Sequence, residues 1–357
     1  MTPLSNSGSF LRRGRDMPVL AVSQDYELFF RKSGSIEKCL FEPADLLVSF
    51  AAKHDIRITF FVDAGMLCRM QQLASSNASM ARDLSRIRKH VASLFEKGHE
   101  IGLHIHPHWE DTRWNDGEWD FSATRYQLRD FARDEVGEIV SRYSAALNDL
   151  CNSTVGVFRA GGFCVEPFDV LRGPLLDAGI SVDSSVVPGA RLRDPDKGFS
   201  FARAPRRSWW HFDESPLRPA SEGTFLEIPI TPVVLPVYHY WGRAVDRLLS
   251  RQPAGVIGDG SSKAIGKREI LRRLAGAGRV SELSIDVAKA GRLASRRVLR
   301  KKSKVWQIMG HPKLLGKSSL VALQEFIKAK EIQRFETLSA LASAIRAGDL
   351  PSGPDYV

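Results

Sequence analysis

The 357-residue chain lacks the marks of a secreted, membrane-spanning or nucleotide-binding protein. Its four cysteines are widely spaced and form no Cys-x-x-Cys pair, which predicts the reduced thiols of a cytoplasmic protein rather than a disulfide framework. No apolar run approaches the ~18 residues that a membrane span needs. Residues 1–17 contain no apolar segment of the secretory type, so we expect a flexible leader there. The absence of a P-loop and of a Gly-x-Gly-x-x-Gly turn after the first strand argues against a nucleotide site.

Positive charge is concentrated in one segment. Arg243–Lys304 contains 17 Lys and Arg against 5 Asp and Glu, a net charge of +12, whereas the whole chain carries +10. No zinc finger, recognition helix or aromatic-interleaved RNA motif accompanies it, so we predict no nucleic-acid partner. Within it, Ile270–Leu293 is loosely amphipathic. The segment therefore either contacts the inner face of an anionic membrane peripherally or is a basic helical insertion exposed to solvent.

Short apolar runs alternate with segments of helical periodicity along the chain. Strands are predicted at 19–23, 57–63, 104–106, 155–159, 180–185, 224–230 and 305–311. Helices are predicted at 42–53, 79–97, 123–150, 166–178, 319–328 and 337–347. This alternation is typical of βα units around a parallel sheet, and the polar residues that follow most strands favour a closed barrel. We expect one domain over 18–357, with the basic segment at 243–304 inserted into it.

Four of the nine histidines lie within residues 98–109. His104 and His106 alternate with Ile105 as in a strand, and Pro107 should end that strand because it has no N–H to donate. The carboxyl ends of parallel strands are where α/β proteins collect their chemistry, and neutral imidazole is the commonest protein ligand for zinc-like metals. The cluster therefore predicts a divalent metal site. Asp25 and Glu27 follow the first buried strand and are either part of that site or a solvated loop.

The order of the motifs resembles that of the polysaccharide deacetylases, the NodB-homology or carbohydrate esterase 4 family. The strongest match is Gly98-His99-Glu100-Ile101-Gly102, which is followed by His104 and His108 in the spacing of the family's H-x-x-x-H pair. Weaker matches are Phe60-Phe61-Val62, Phe158-Arg159 with Phe163, Asp183-Ser184-Ser185 and Met309-Gly310-His311. The first motif departs from the family pattern, because the usual adjacent aspartates are replaced by Asp25 and Glu27, two residues apart.

This resemblance implies a fold and a set of roles. The fold would be a distorted, TIM-like (β/α)7 barrel of the NodB-homology type. A divalent metal, with Zn²⁺ as the expected ion, would be held by Glu27, His104 and His108, with His106 in reserve because Pro107 should disturb its geometry. The catalytic roles would fall to Asp25 as general base, Arg159 as its ion-pair partner, His311 as proton donor to the leaving amine and Asp183 as the group that orients His311. Phe163 and Trp109 would contact the substrate.

Three functions compete at this stage. The first is a metal-dependent hydrolase that removes an N-acetyl or similar acyl group from an amino sugar of a cell-surface polysaccharide or its precursor, with that N-acylated carbohydrate as its partner. The second is a catalytically inactive relative that binds carbohydrate, which the altered first motif keeps open. The third is an unrelated amidohydrolase, whose H-x-H pair resembles His104 and His106 but belongs on the first barrel strand rather than on about the third.

Overall fold

A computed structural model of the chain describes residues 18–237, 241, 255–262, 279–301 and 303–350. Seven parallel strands form the central sheet, namely β1 (Val19–Tyr26), β2 (Ile58–Asp63), β3 (Glu100–Ile105), β4 (Val157–Ala160), β5 (Val182–Asp183), β6 (Phe225–Glu227) and β7 (Val305–Gly310). Their spatial order is β6-β5-β4-β3-β2-β1-β7. The antiparallel strand Trp210–Phe212 pairs with β6, and the short strand Arg334–Phe335 pairs with β1.

The sheet closes between its first and last parallel strands. The backbone N–H of Thr231, beyond β6, donates to the Gln307 carbonyl on β7 at 3.1 Å. The Gln307 N–H in turn donates to the Thr231 hydroxyl at 2.9 Å. These bonds join the segment after β6 to β7, so the predicted distorted (β/α)7 barrel is confirmed, with every predicted strand in place.

Nine helices of the described residues surround the sheet. They are α1 (Glu42–Lys53), α2 (Ala64–Ala74), α3 (Ala78–Glu96), α4 (Arg133–Cys151), α5 (Asp169–Asp177), α6 (Val287–Ala290), α7 (Arg296–Arg300), α8 (Lys317–Ala329) and α9 (Leu338–Arg346). The helix predicted at 123–150 begins only at Arg133, because Gln127 and Asp130 cap a separate 3-10 turn before it. The helix α2 was not predicted, since β2 passes into it without an intervening loop.

Short strands and helical turns lie in the loops between these elements. Antiparallel pairs of strands join Arg31–Lys32 with Ser261–Ser262, Arg113–Asn115 with Glu118–Asp120, Arg191–Leu192 with Phe199–Ser200, and Pro232–Leu235 with Arg279–Glu282. A π-helical turn covers Glu37–Phe41, and 3-10 turns cover Pro107–Glu110, Leu128–Asp130, Gly161–Phe163 and Pro312–Leu314.

The barrel interior changes from apolar to polar along the strands. At the amino-terminal end, the inward side chains form one apolar cluster that α9 closes off; it includes Val19, Ala21, Phe61, Val157, Val182, Leu226, Leu338, Leu341 and Ile345. Burying an aliphatic or aromatic side chain of this size stabilises the fold by roughly 1.5–3 kcal/mol. The next inward layer is polar and buried, and contains Ser23, Arg159, Ser184 and Gln307. The polar end of the barrel is therefore the one at which the strands finish.

Part of the predicted basic insertion belongs to the barrel wall. Leu283 and Ile285 are buried beside β7, where the Ile285 N–H donates to the Met309 carbonyl at 2.9 Å. Residues 1–17, 243–254 and 263–278 lie outside the described part of the chain, as does most of Tyr238-His239-Tyr240-Trp241. The leader therefore stays a prediction, as does a membrane contact through residues 270–278, whereas Leu283, Ile285 and Leu293 of the same segment are buried in the fold and cannot contact a membrane. Among the described helices, none combines the length and the apolar character that crossing a bilayer requires.

Candidate active site

Strand β1 delivers two carboxylates to the mouth of the barrel. Successive strand side chains point to opposite faces, so Asp25 shares the inward face with Ser23. Glu27, two residues further, continues the same alternation just past the strand end. Both side chains are buried, with relative exposures of 4% and 9%. The spacing that departs from the family pattern thus still brings two carboxylates to one place.

Strand β3 supplies two histidines by the same alternation. His104 lies within the strand, and His106 keeps an extended backbone (φ −108°, ψ 95°) before Pro107 starts a 3-10 turn. The Nε2 atoms of His104 and His106 lie 3.5 Å and 2.5 Å from Oε2 of Glu27. In the described part of the chain, these three residues are the group of potential ligands whose donor atoms all lie within 4.8 Å of one another.

The structure corrects the predicted second histidine ligand. His108 follows Pro107 in the 3-10 turn and packs among aromatic rings, 4.6 Å from the centroid of Phe30. Its Nδ1 atom lies 3.4 Å from the Thr112 hydroxyl. The turn begins after His106 and not before it, so it is His106, and not His108, that lies beside Glu27 and His104. The pair also lies on the third barrel strand, not on the first as an amidohydrolase requires.

The donor atoms of this group fit a divalent cation. Nδ1 of His104 lies 2.8 Å from the Arg159 carbonyl, to which it donates in the neutral ring, so the lone pair of Nε2 faces the site. Nδ1 of His106 is buried without a hydrogen-bond partner among the described residues, which is rare for a buried polar atom, while Nε2 lies beside Glu27. A Cβ at Gly161 would lie 2.6 Å from Nδ1 of His106, so glycine is needed there.

Electrostatics favour a cation at the same point. Burial would raise the pKa of Glu27, but the charges of Lys313 and His106 and hydrogen bonds from both histidines hold it well below its usual range. Burial would lower the pKa of His104, yet the charge of Asp25 and the contact with Glu27 raise it to about 9. The carboxylates that favour a proton on Nε2 of His104 also favour a metal ion there.

Asp25 is fixed by a buried ion pair. Nη1 of Arg159 donates to Oδ1 of Asp25 at 2.6 Å, and Arg159 is fully buried. The rest of the guanidinium donates to the Ser23 hydroxyl at 2.9 Å and to the Ser184 carbonyl at 2.8 Å. This bonding fixes the Asp25 carboxylate, with its Oδ2 atom 3.9 Å from Nε2 of His104.

His311 follows β7, the strand that pairs with β1, but its partner is not the predicted Asp183. Nδ1 of His311 lies 3.0 Å from Oδ2 of Asp286, whose Oδ1 accepts the His311 backbone N–H at 2.8 Å. Nε2 of His311 then faces Asp25 and Glu27 at 3.8 and 3.7 Å. Burial would lower the pKa of His311, but the charge and hydrogen bond of Asp286 raise it above its ordinary value.

Asp183, the predicted orienting residue, lies on the outer face of the barrel. Its neighbour Val182 belongs to the apolar cluster inside the barrel, so Asp183 points the other way. It is paired in register with Glu227 on β6 and accepts a hydrogen bond from the Ser185 hydroxyl at 2.5 Å. Burial raises the pKa of Asp183 to about 6, and burial together with the charge of Asp183 raises that of Glu227.

Two residues of the site were missed from the sequence. Asp63 ends β2, and its Oδ2 atom accepts a hydrogen bond from Nε1 of Trp109 at 2.6 Å, while its buried Oδ1 atom has no partner in the described structure. Lys313 is 5% exposed, and its Nζ donates to Oε1 of Glu27 at 2.9 Å and to the Leu28 carbonyl at 2.7 Å. Asp63 shares the inward face of β2 with Phe61, which is a signal that could have found it, whereas Lys313 lies in the 3-10 turn Pro312–Leu314, where strand alternation gives no signal.

These groups line one cavity of about 210 Å³ at the carboxyl ends of the strands. The polar lining consists of Asp25, Glu27, Asp63, His104, His106, His108, Lys197, His311 and Lys313. Aromatic rings form the walls, and both predicted substrate-contacting residues are among them: Phe163 is partly exposed, whereas Trp109 is only 2% exposed and serves mainly to hold Asp63. The cavity is therefore a small polar pocket with an aromatic rim.

No family model matches the chain, and no curated protein sequence matches it. It is similar to a solved structure assigned as a polysaccharide deacetylase from Mycobacterium smegmatis, with 15% identity, 100% of this chain and 97% of the other covered, and a TM-score of 0.45. The chain is also similar to the solved structure of Puue allantoinase, with 15% identity, 94% of this chain and 92% of the other covered, and a TM-score of 0.46. A CE4 family pseudoenzyme from Bacillus anthracis has 11% identity, coverages of 90% and 64%, and a TM-score of 0.39.

Similarities as distant as these do not indicate a function, so the function is inferred from the geometry of the site. The structures that the chain is similar to include peptidoglycan and polysaccharide deacetylases as well as pseudoenzymes. The chain resembles the polysaccharide deacetylases of the NodB-homology, carbohydrate esterase 4 type in the order of its sequence motifs and in the seven-stranded barrel that carries them.

Proposed function

We propose that the protein is a metal-dependent N-deacetylase that removes an acetyl or similar acyl group from an amino sugar of a polysaccharide or its precursor. The observation that carries this proposal is the convergence of Glu27, His104 and His106 on one point, with Asp25 and His311 on either side of it. Two imidazoles and one carboxylate leave coordination positions free, as catalytic zinc requires. A divalent cation bound there, with Zn²⁺ as the expected ion, would polarise the amide carbonyl and acidify a water molecule.

Asp25 is the general base in this proposal. Its Oδ1 atom is taken by Arg159, so Oδ2 is the atom that accepts a proton from the attacking water. The ion pair fixes the direction of Oδ2. The oxygen of that water bonds to the acyl carbon as its proton passes to Asp25.

His311 is the proton donor to the leaving group. Asp286 holds its Nδ1, which leaves Nε2 directed into the cavity. The raised pKa favours the protonated ring, from which Nε2 can protonate the amine nitrogen as the carbon–nitrogen bond breaks. The products are a free amino sugar and a carboxylate such as acetate. Phe163 and the other rings of the pocket rim would pack against the sugar.

One observation favours the second function, an inactive relative that binds carbohydrate. The ammonium of Lys313 donates to Glu27 at 2.9 Å, which places a positive charge against the only carboxylate of the metal group. Such a contact weakens cation binding relative to a site without it. In that case the aromatic pocket would still bind sugar, but no hydrolysis would follow.

Acetate release from N-acetylated sugar oligomers separates the two functions. We expect release with added Zn²⁺, loss of release with a chelator, and loss in Asp25→Asn but not in the control Asp177→Asn, an exposed residue at the end of α5. Sugar binding with no metal-stimulated release would favour the inactive relative. Neither binding nor release would refute both functions.

A further inference from the structure

A second cavity lies next to the active-site pocket and is lined by basic side chains. Its volume is about 540 Å³, and Phe163 lines both cavities, so the two are neighbours on either side of this residue. Arg129, Arg191 and Arg193 line the second cavity, and all three are exposed. We call these three residues and their cavity the arginine pocket.

The guanidinium groups of the arginine pocket are not neutralised within the described structure. No carboxylate of the described residues lies within 4.0 Å of any of the three. Two acidic residues also line the cavity, but both have other roles. Oδ1 of Asp194 accepts the backbone N–H groups of residues 196 and 197, and Oε1 of Glu166 accepts the Ser215 hydroxyl. Burial also raises the pKa of Glu166.

The hairpin that carries two of the arginines is anchored to the active site. The ring of Phe199, in the strand paired with Arg191–Leu192, packs on Phe163 with a centroid distance of 5.6 Å. The side chain of Gln127 donates to the Asp196 carbonyl at 2.8 Å. The same hairpin places Nζ of Lys197 4.1 Å from the centroid of the Phe30 ring, inside the active-site pocket. The hairpin therefore contributes a basic side chain to each cavity, Lys197 to the active-site pocket and Arg191 and Arg193 to the arginine pocket.

We propose that the arginine pocket binds an anionic group of the substrate, so that the substrate is an acidic glycan and not a neutral one. Guanidinium groups bind carboxylates and phosphates through paired, charge-assisted hydrogen bonds. The acylated amino sugar would occupy the active-site pocket, and a neighbouring uronate or phosphate would pass Phe163 to reach the arginines. This inference rests on the proposed function only for the identity of the acylated sugar, because the anion site is independent of hydrolysis.

The test measures binding to the full chain by calorimetry in the presence of a chelator, which excludes metal-dependent turnover. The ligands are an oligosaccharide of alternating N-acetylhexosamine and hexuronate, N-acetylglucosamine 1-phosphate, and a neutral N-acetylglucosamine oligomer of matched length. We expect at least one anionic ligand to bind about tenfold more tightly than the neutral one, with a difference that shrinks at high salt. The two anionic ligands distinguish a uronate from a phosphate.

Substitutions test whether the arginine pocket causes the preference for an anionic ligand. In the double variant Arg191→Gln/Arg193→Gln we expect about a tenfold loss for the favoured anionic ligand and less than a twofold change for the neutral oligomer. Arg82→Gln, an exposed arginine on α3, is the control and should leave both unchanged. Equal binding of neutral and anionic ligands by the unmodified protein would overturn the inference, as would an equal loss for both ligands in the double variant. Absent acetate release would refute only the deacetylase function, because the anion preference is measured without turnover.

Discussion

Exchanging His106 and His108 separately for glutamine tests which histidine binds the metal. His106→Gln removes one of three ligands, whereas His108→Gln alters a ring that lies among Phe30, Tyr126 and Trp109. Losing a residue that merely supports a metal ligand typically weakens metal affinity 10–100-fold, so losing the ligand itself should cost more than about 100-fold. At about 1.4 kcal/mol per factor of ten, that loss exceeds roughly 2.8 kcal/mol of binding free energy.

The assay is a zinc titration in competition with a chromophoric chelator, after circular dichroism has established that both variants are folded. We expect the dissociation constant to rise more than about 100-fold in His106→Gln and to change less than about threefold in His108→Gln. A larger loss in His108→Gln than in His106→Gln would refute the assignment and would restore the H-x-x-x-H pair that the sequence predicts. Equal, small changes in both variants would mean that zinc binds elsewhere.

Three further predictions concern the charged groups of the barrel. Arg159→Met should lower the free energy of unfolding by about 3–5 kcal/mol in urea titrations, because it leaves a buried carboxylate without its partner; a change below about 1 kcal/mol would contradict this role. Asp286→Asn should lower the pKa of His311, so the alkaline fall in kcat/KM should move to lower pH, and an unmoved profile would exclude His311 as the proton donor. Since the pKa of Asp183 is raised to about 6 in the folded protein, stability should fall as pH rises from about 4 through that value. Asp183→Asn, which also relieves the like charge on Glu227, should flatten this fall in urea titrations across that range, and an unchanged slope would contradict the pairing.

The barrel could be predicted because each strand carries a local signal. Runs such as Val19–Val22 and Thr224–Ile230 are apolar, short and bounded by polar residues. This pattern is typical of buried parallel strands. The helix α4 was placed too early, since Gln127 and Asp130 cap a short turn that periodicity alone does not reveal. Local composition thus predicts which elements exist better than where they begin.

The site could be predicted only in part, because its geometry depends on contacts between distant segments. The alternation of β1 and β3 predicts that Asp25, Glu27 and His104 share a face, but whether it continues to His106 depends on the turn at Pro107. The partner of His311 was wrongly predicted because Asp286 comes from the basic segment, which was treated as an insertion outside the barrel. No pattern near Asp286 in the sequence indicates that its segment runs beside β7.

X-ray absorption at the zinc edge of the zinc-loaded protein tests the central claim most directly. The account predicts a first shell of two imidazole nitrogens and carboxylate or solvent oxygens, with no sulfur, because the converging ligands are Glu27, His104 and His106. In His106→Gln the signal should fall to one imidazole. A first shell with three imidazoles, with sulfur, or unchanged in that variant would contradict the account.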